Sequence, residues 1–97
     1  MAEIVWAPNA LDDVEKLIAY IGGDSIVRAQ RFAARLINRV ESLGTQPESG
    51  SWLPEDERHV YRQIFHGAWR VIYRYDSEIV WIVAVHHSAR MLDLDSF

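Results

Sequence analysis

The sequence lacks cysteine and lacks any long hydrophobic run. With no cysteine among its 97 residues, the chain can form no disulfide, hold no metal through thiolates and use no thiol nucleophile. The longest apolar run, residues 79–85, is far shorter than the ~20 residues that a membrane-spanning helix needs. The opening Met-Ala-Glu-Ile has neither the basic nor the apolar region of a signal peptide. We therefore expect a cytoplasmic protein with no membrane partner.

Lysine is nearly absent as well, and arginine takes its place. Lys16 is the one lysine, whereas nine arginines accompany fourteen acidic residues, which gives a net charge of −4. A chain with this balance lacks the broad basic field that drives non-specific binding to nucleic acids. Arginine does offer a planar fork that matches carboxylates and phosphates. The composition therefore favours an acidic protein partner at least as much as a nucleic acid.

The order of hydrophobic patterns predicts one α+β domain over residues 1–97. Helical periodicity and β-rich segments alternate in the order β-α-α-β-β-β, with a polar loop at residues 44–58. Asp24 and Ser25 offer capping oxygens between the two helices. The expected elements are a strand at 3–6, helices at 8–21 and 26–43, and strands at 60–65, 68–75 and 78–87. The fold class is therefore a helical hairpin packed on one face of a small, mainly antiparallel sheet.

Two-residue turns at His66-Gly67 and Asp76-Ser77 would set the register of the last three strands. Phe65 would then face Ala68, Tyr75 would face Glu78, and residues 91–97 would form a frayed acidic tail. Alternation assigns to the helix-covered face Val60, Ile64, Trp69, Val71, Tyr73, Val80, Ile82 and Ala84. The opposite face, with no helix left to cover it, would collect His59, Tyr61, Gln63, Arg70, Ile72, Arg74, Trp81, Val83, Val85 and His87.

Four stretches taken together resemble the RelE/ParE superfamily of bacterial type II toxins. They are IVWAPNALDDVEKLIAYI, SIVRAQRFAARLINRVESLGTQPESG, AWRVIYRYD and VAVHHSAR, and their order and spacing extend over nearly the whole chain. The resemblance implies the fold predicted above. It also implies a cognate antitoxin, often acidic, that wraps the toxin, and it leaves a homodimer or a heterotetramer with that antitoxin as the oligomers to test.

The superfamily divides by target, and three features place this chain closer to ParE. ParE-like members inhibit DNA gyrase, whereas RelE-like members cut mRNA in the ribosomal A site. Val85, His87 and Arg90 match a ParE-like ending, the net charge of −4 contrasts with strongly basic nucleases, and no lysine follows Lys16. We therefore expect a gyrase inhibitor that is not an enzyme and needs no cofactor. The alternative is a ribosome-dependent endoribonuclease whose catalytic residues are Arg70, Arg74 and His87.

The residues expected to contact a target or an antitoxin lie on the open sheet face, the last strand and the second helix. They are Tyr61, Arg70, Arg74, Trp81, His87, Arg90, Arg31 and Arg35. The last two belong to a row at residues 28, 31, 35 and 39 that either grips an acidic antitoxin or forms a solvated face with local ion pairs. His86 and His87 either serve as acid or base or cap the sheet. They point to opposite faces, so we expect no metal site.

Overall fold

Five strands and two helices make up the part of the chain that the computed structural model describes, residues 1–90 and 92–94. The elements are β1 (Glu3–Trp6), α1 (Pro8–Gly22), α2 (Ile26–Glu41), a 3₁₀ helix (Ser42–Gly44), β2 (Ser51–Trp52), β3 (Arg62–His66), β4 (Trp69–Asp76) and β5 (Ile79–His87). The expected fold class is confirmed, with β2 as an additional short strand inside the predicted loop. Neither described helix is long and apolar enough to cross a membrane.

Both helices begin where the sequence supplies a suitable N-terminus. Pro8 stands in the first turn of α1, where a missing N–H removes no helical hydrogen bond. The Ser25 hydroxyl accepts a hydrogen bond from the Arg28 backbone N–H at 3.2 Å, so Ser25 caps α2. Each helix then turns an apolar stripe towards the sheet. The stripes bury Ala10, Leu17, Ala29, Leu36 and Val40.

The strands form one sheet in the order β1-β5-β4-β3-β2. β1 runs parallel to β5, and the other neighbouring strands are antiparallel. The helical hairpin leads from β1 at one edge of the sheet to β2 at the other edge. The main hydrophobic core lies between this sheet and the helices. Its fully buried members are Ala10, Leu36, Val40, Leu43, Val71, Tyr73, Val80 and Ile82. This core fixes β4 and β5, which carry half of the candidate residues.

The first hairpin turns one residue later than predicted. Phe65 pairs with Arg70 instead of Ala68, and Gln63 pairs with Ile72. The reason is that Gly67 occupies the first of the two turn positions, where its φ of 57° is left-handed and suits glycine. Moving the turn by one residue shifts the pairing by two, so the faces of β3 and β4 remain as predicted.

The second hairpin also turns one residue later, with Ser77 and Glu78 at the two turn positions. Both residues have a positive φ, 52° and 67°, as a type I′ turn requires. Tyr75 consequently pairs with Val80 instead of Glu78. The sequence pointed to Asp76 as a turn residue because aspartate is common in turns. In the structure Asp76 is still part of β4 and pairs with Ile79.

A β-bulge in β5 reverses the predicted faces beyond Val83. Ile72 pairs with Ala84 while Tyr73 pairs with Ile82, so Val83 is the extra residue of the bulge. Ala84 therefore lies on the face away from the helices, and Val85 joins the main core. The opposite assignment predicted for these two residues is wrong because a bulge changes the alternation of side chains by one position.

The sheet face away from the helices is covered, contrary to the prediction. Leu53 and Tyr61 from the loop before β3 pack against Ile72, and Leu92 and Leu94 from the C-terminal segment complete this second cluster. The covering removes Ile72 from water, which stabilises the fold. The prediction of a frayed tail over residues 91–97 is therefore wrong for the two leucines. Residues 91 and 95–97 lie outside the described residues. Val60, expected in the core, lies outside β3 and is half-buried.

Candidate functional site

Arg70 is buried under the loop before β3, although the sequence predicted an exposed side chain. Its guanidinium donates two hydrogen bonds to the Glu55 carboxylate, at 2.7 and 3.1 Å. It donates two more, to the Gln63 side-chain oxygen and to the Arg90 carbonyl, each at 3.1 Å. Only 7% of the Arg70 side chain is exposed. The predicted exposure is wrong because the loop supplies the Glu55 carboxylate as a bidentate counter-ion. A contact of Arg70 with a partner stays a prediction.

Asp56 holds the loop that carries Glu55. One Asp56 carboxylate oxygen accepts hydrogen bonds from the backbone N–H groups of Val60 and Tyr61, at 2.8 and 3.0 Å. The other accepts from the backbone N–H and side chain of Arg58. Burial works to raise the pKa of Asp56, but these hydrogen bonds outweigh it and the pKa is lowered. The pKa of Glu55 is lowered chiefly by its hydrogen bond with Arg70.

These two carboxyl groups make the fold sensitive to acid. Because their folded pKa values lie below the unfolded values of about 3.9 for Asp and about 4.3 for Glu, the stability they provide is present above that range. We expect the free energy of unfolding to fall as the pH drops from about 5 through the folded pKa values. Urea unfolding across this pH range tests the expected fall. In Asp56→Asn we expect the free energy of unfolding to depend less on pH. An equally steep fall in Asp56→Asn would contradict the assignment.

His87 lies on the helix side of the sheet. It pairs with Trp69, and the two rings meet edge to face with centroids 5.2 Å apart. Its Nδ1 accepts a hydrogen bond from the Ala89 backbone N–H at 3.2 Å, so the side chain caps the end of β5. Arg70 and Arg74 project from the other face of β4. The structure therefore does not bring together the three residues of the predicted nuclease site, because the bulge moves His87 to the helix side.

His86, not His87, is the histidine opposite Arg70 in the sheet. Its side chain is mostly buried at the edge of β5, 3.6 Å from the Asp13 carboxylate on α1. Burial is the main cause that lowers the pKa of His86, Arg90 and Arg70 add to the effect, and Asp13 opposes it. His86 is therefore neutral near pH 7. The sequence offered no signal for this placement, because it depends on the bulge.

Asp13 is a further residue that sequence reasoning missed. Its carboxylate accepts a hydrogen bond from the Val85 backbone N–H at 2.9 Å, where β1 has ended and the edge of β5 is open. Two open grooves, of about 270 and about 250 Å³, flank Asp13, His86 and Arg90 at this edge. The α1 side chain thus replaces a strand as partner of β5 and lines both grooves.

The other candidates lie on two separate surfaces. Tyr61, Arg74 and Trp81 are half-buried on the sheet face away from the helices, with Arg74 paired to Trp81 across the strands. Arg31 and Arg35 are exposed on α2. Among residues 1–90 and 92–94, no three His, Asp or Glu side chains are placed to hold a metal ion.

Comparison with known proteins identifies the family. The sequence model of the family described as "ParE toxin of type II toxin-antitoxin system, parDE" matches residues 4–92. The chain belongs to the ParE toxin family. A relative from Caulobacter vibrioides, named Toxin RelE2, is 33% identical over 91 residues, which is 94% of this chain and all of the relative. The expected RelE/ParE membership is confirmed, and the protein is the toxin of a type II toxin–antitoxin system.

Solved structures of similar fold come from both branches of the superfamily. A chain of the chromosomal ParDE system from P. aeruginosa matches with a TM-score of 0.75 and 16% identity, over 90% of this ParE-family chain and 96% of that one. A chain of the RelBE2 complex from Mycobacterium tuberculosis matches with a TM-score of 0.67 and 23% identity, over 89% and 96%. The isolated E. coli RelE toxin matches with a TM-score of 0.62 and 17% identity, over 94% and 88%. At these identities the likeness supports the fold.

Proposed function

We propose that this ParE-family toxin acts in the cytoplasm by binding and inhibiting DNA gyrase, without catalysis, and that its cognate antitoxin neutralises it. One observation carries the proposal. Arg70, the residue best placed to contact a phosphate in the alternative nuclease, is buried and bound to Glu55, while His87 lies on the other side of the sheet. A binding surface needs no such catalytic set.

Chemistry supports this choice between the two branches. Cleavage of RNA needs a proton-transfer group and a cation within hydrogen-bond reach of the same phosphate. In this chain four of the Arg70 hydrogen bonds are already made within the protein, and no lysine follows Lys16. The net charge of −4 also opposes association with the strongly anionic ribosome. Each feature is compatible with a protein target.

An exposed apolar groove on the helical hairpin supports a protein antitoxin. Trp6, Leu11, Val14 and Ile37 line a groove of about 170 Å³ between α1 and α2. Leu11 and Ile37 are 50% and 44% exposed, although both are large apolar residues. Exposed apolar surface of this kind is typical of a site that a partner covers. We propose that the antitoxin covers this groove.

A ribosome-dependent endoribonuclease remains the second candidate, and a specific observation favours it. The relative at 33% identity is named Toxin RelE2, and RelE-like members are mRNA nucleases by the resemblance described above. In this alternative the neutral His86 takes the acid–base role proposed for His87, since it lies opposite Arg70 and beside Arg90. The Glu55–Arg70 contact would then have to open before a phosphate could bind.

Expression of the chain alone in a bacterial host tests the proposal. We expect growth arrest with filamentous cells and induction of the DNA-damage response, because inhibition of gyrase causes DNA breaks and leaves positive supercoils unresolved. Coexpression of the antitoxin gene is expected to restore growth. Transcript mapping in the arrested cells serves as the second measurement, and we expect intact mRNA. Arrest with transcripts cut at translating ribosomes and no DNA-damage response would refute gyrase inhibition and establish the nuclease.

A further inference from the structure

The larger of the two grooves at the open edge of β5 lies between α1 and the ends of β4 and β5, and is here called the α1–β5 groove. It has a volume of about 270 Å³. Pockets that enclose small molecules are larger, roughly 300–1,000 Å³, so this open groove suits a side chain of a protein partner better than a free ligand. Its walls include Leu17, Tyr20, Trp69, Val85, His87 and Arg90.

Three side chains of the α1–β5 groove belong to the residue types that contribute most to the affinity of protein complexes. Tyr20, on α1, is 80% exposed although its ring is large and apolar. Trp69, at the start of β4, is half-buried, and its edge-to-face contact with His87 positions both rings. Arg90 follows β5 and is exposed. Because Tyr, Trp and Arg are enriched among the residues whose truncation weakens a complex most, the groove has the composition of a protein-binding site.

Arg90 gives the groove a positive charge without a carboxylate partner in the described chain. Its side chain forms no salt bridge with any residue that the structure describes. The lysine and the aspartate of the groove already have partners. Lys16 pairs with Asp12 at 3.0 Å. The Asp13 carboxylate accepts its hydrogen bond from the Val85 N–H at 2.9 Å. The groove therefore complements an apolar side chain that has a carboxylate next to it.

The α1–β5 groove is separate from the groove proposed above for the antitoxin. Residues 13, 16, 17 and 20 of α1 line the first, and residues 11 and 14 line the second. At 3.6 residues per turn, the two sets are roughly 140° apart around the helix axis. Val85, His87 and Arg90, by which the end of the chain resembles ParE-like chains, all line the α1–β5 groove. The likeness to the gyrase-inhibiting branch is therefore concentrated at this groove.

We propose that the toxin binds gyrase through the α1–β5 groove, where Tyr20 and Trp69 contact a large apolar side chain of gyrase and Arg90 pairs with a carboxylate beside it. This contact presupposes the gyrase inhibition proposed above. Burial of the apolar side chain provides affinity, and the planar guanidinium fixes the orientation of the partner. Sequence reasoning did not find Tyr20 or Trp69, because only the fold brings α1 and the start of β4 to the end of β5.

Inhibition of purified gyrase by toxin variants tests this surface, with DNA supercoiling measured against toxin concentration. We expect Tyr20→Ala and Arg90→Ala each to need at least about tenfold more toxin than the wild type for half-inhibition. Ile26→Ala is the matched control, because it also removes an exposed apolar side chain from a helix but lies outside the groove. Its half-inhibitory concentration is expected to stay within about twofold of the wild type. Circular dichroism confirms that the variants are folded.

The outcomes separate this surface from the proposed function. Equal inhibition by the wild type, Tyr20→Ala and Arg90→Ala would show that gyrase binds elsewhere, while gyrase inhibition itself would stand. A wild type that does not inhibit supercoiling would refute both. Copurification with coexpressed antitoxin is expected to be the same for Tyr20→Ala and the wild type. If Tyr20→Ala inhibits gyrase normally and no longer copurifies with the antitoxin, the groove is an antitoxin site and the proposal is overturned.

Discussion

Gly50→Ala is expected to lower the free energy of unfolding by about 3 kcal/mol, because the added Cβ would overlap two fixed groups. It would lie 2.5 Å from the Tyr73 hydroxyl and 2.8 Å from the backbone carbonyl oxygen of Gln63. Neither can move freely. The hydroxyl donates to the Pro47 carbonyl at 2.8 Å and accepts from the Gly50 N–H at 2.9 Å, and the carbonyl belongs to β3. Chemical denaturation measures the loss.

A double-mutant cycle isolates the cause of this loss. Tyr73→Phe removes the hydroxyl that the new Cβ would meet, so the double variant is expected to lose clearly less stability than the sum of the two single variants. Gly67→Ala provides the comparison, since nothing lies within 4 Å of a Cβ at that position and its loss comes from the positive φ alone. Additive losses in the cycle would show that Gly50 and Tyr73 are not coupled by the predicted overlap.

Arg70→Ala is expected to destabilise the fold by about 3 kcal/mol, because it removes the shared partner of three segments. Without the guanidinium, the largely buried Glu55 carboxylate and Gln63 amide lose their hydrogen bonds, and the Arg90 carbonyl loses its link to β4. Arg74→Ala, on the same face of the same strand, is the control and is expected to change stability by less than about 0.5 kcal/mol. Equal losses in the two variants would contradict a structural role for the Arg70 cluster.

This result also affects how toxicity data on Arg70 are interpreted. In a gyrase inhibitor with the proposed surfaces, loss of growth arrest in Arg70→Ala follows from unfolding of the protein. Lower temperature or coexpressed chaperones should then restore some activity. Arg70 would have acted directly on a target only if the variant were folded, as shown by circular dichroism, and still inactive.

The periodicity of the chain was sufficient to predict the order and type of the main elements. The apolar stripe that includes Leu36 and Val40 predicted a helix facing the core, and Ser25 was one of two caps offered by the sequence. Side-chain alternation also placed Val71 and Tyr73 on the helix side correctly. These features depend on contacts between residues close in sequence or on simple periods, which a single sequence contains.

The site could not be predicted to the same degree, because it depends on one bulge and one loop. Val83 is one apolar residue within the apolar run 79–85, so nothing in the sequence marks it as the extra residue that exchanges the positions of His86 and His87. In the sequence, Glu55 looks like any other polar residue of the loop, and only the tertiary fold brings its carboxylate to Arg70. Alternation alone therefore predicted an exposed Arg70 side chain, whereas this side chain is buried in the folded chain.

Gyrase inhibition is tested most directly by a DNA supercoiling assay with purified toxin and gyrase. A translating-ribosome mRNA cleavage reaction is run on the same preparation. We predict concentration-dependent loss of supercoiling, with relaxation by an unrelated topoisomerase unaffected and with intact mRNA. Normal supercoiling at saturating toxin together with cleaved mRNA would contradict gyrase inhibition, and would place His86, Arg70 and Arg90 in a nuclease site.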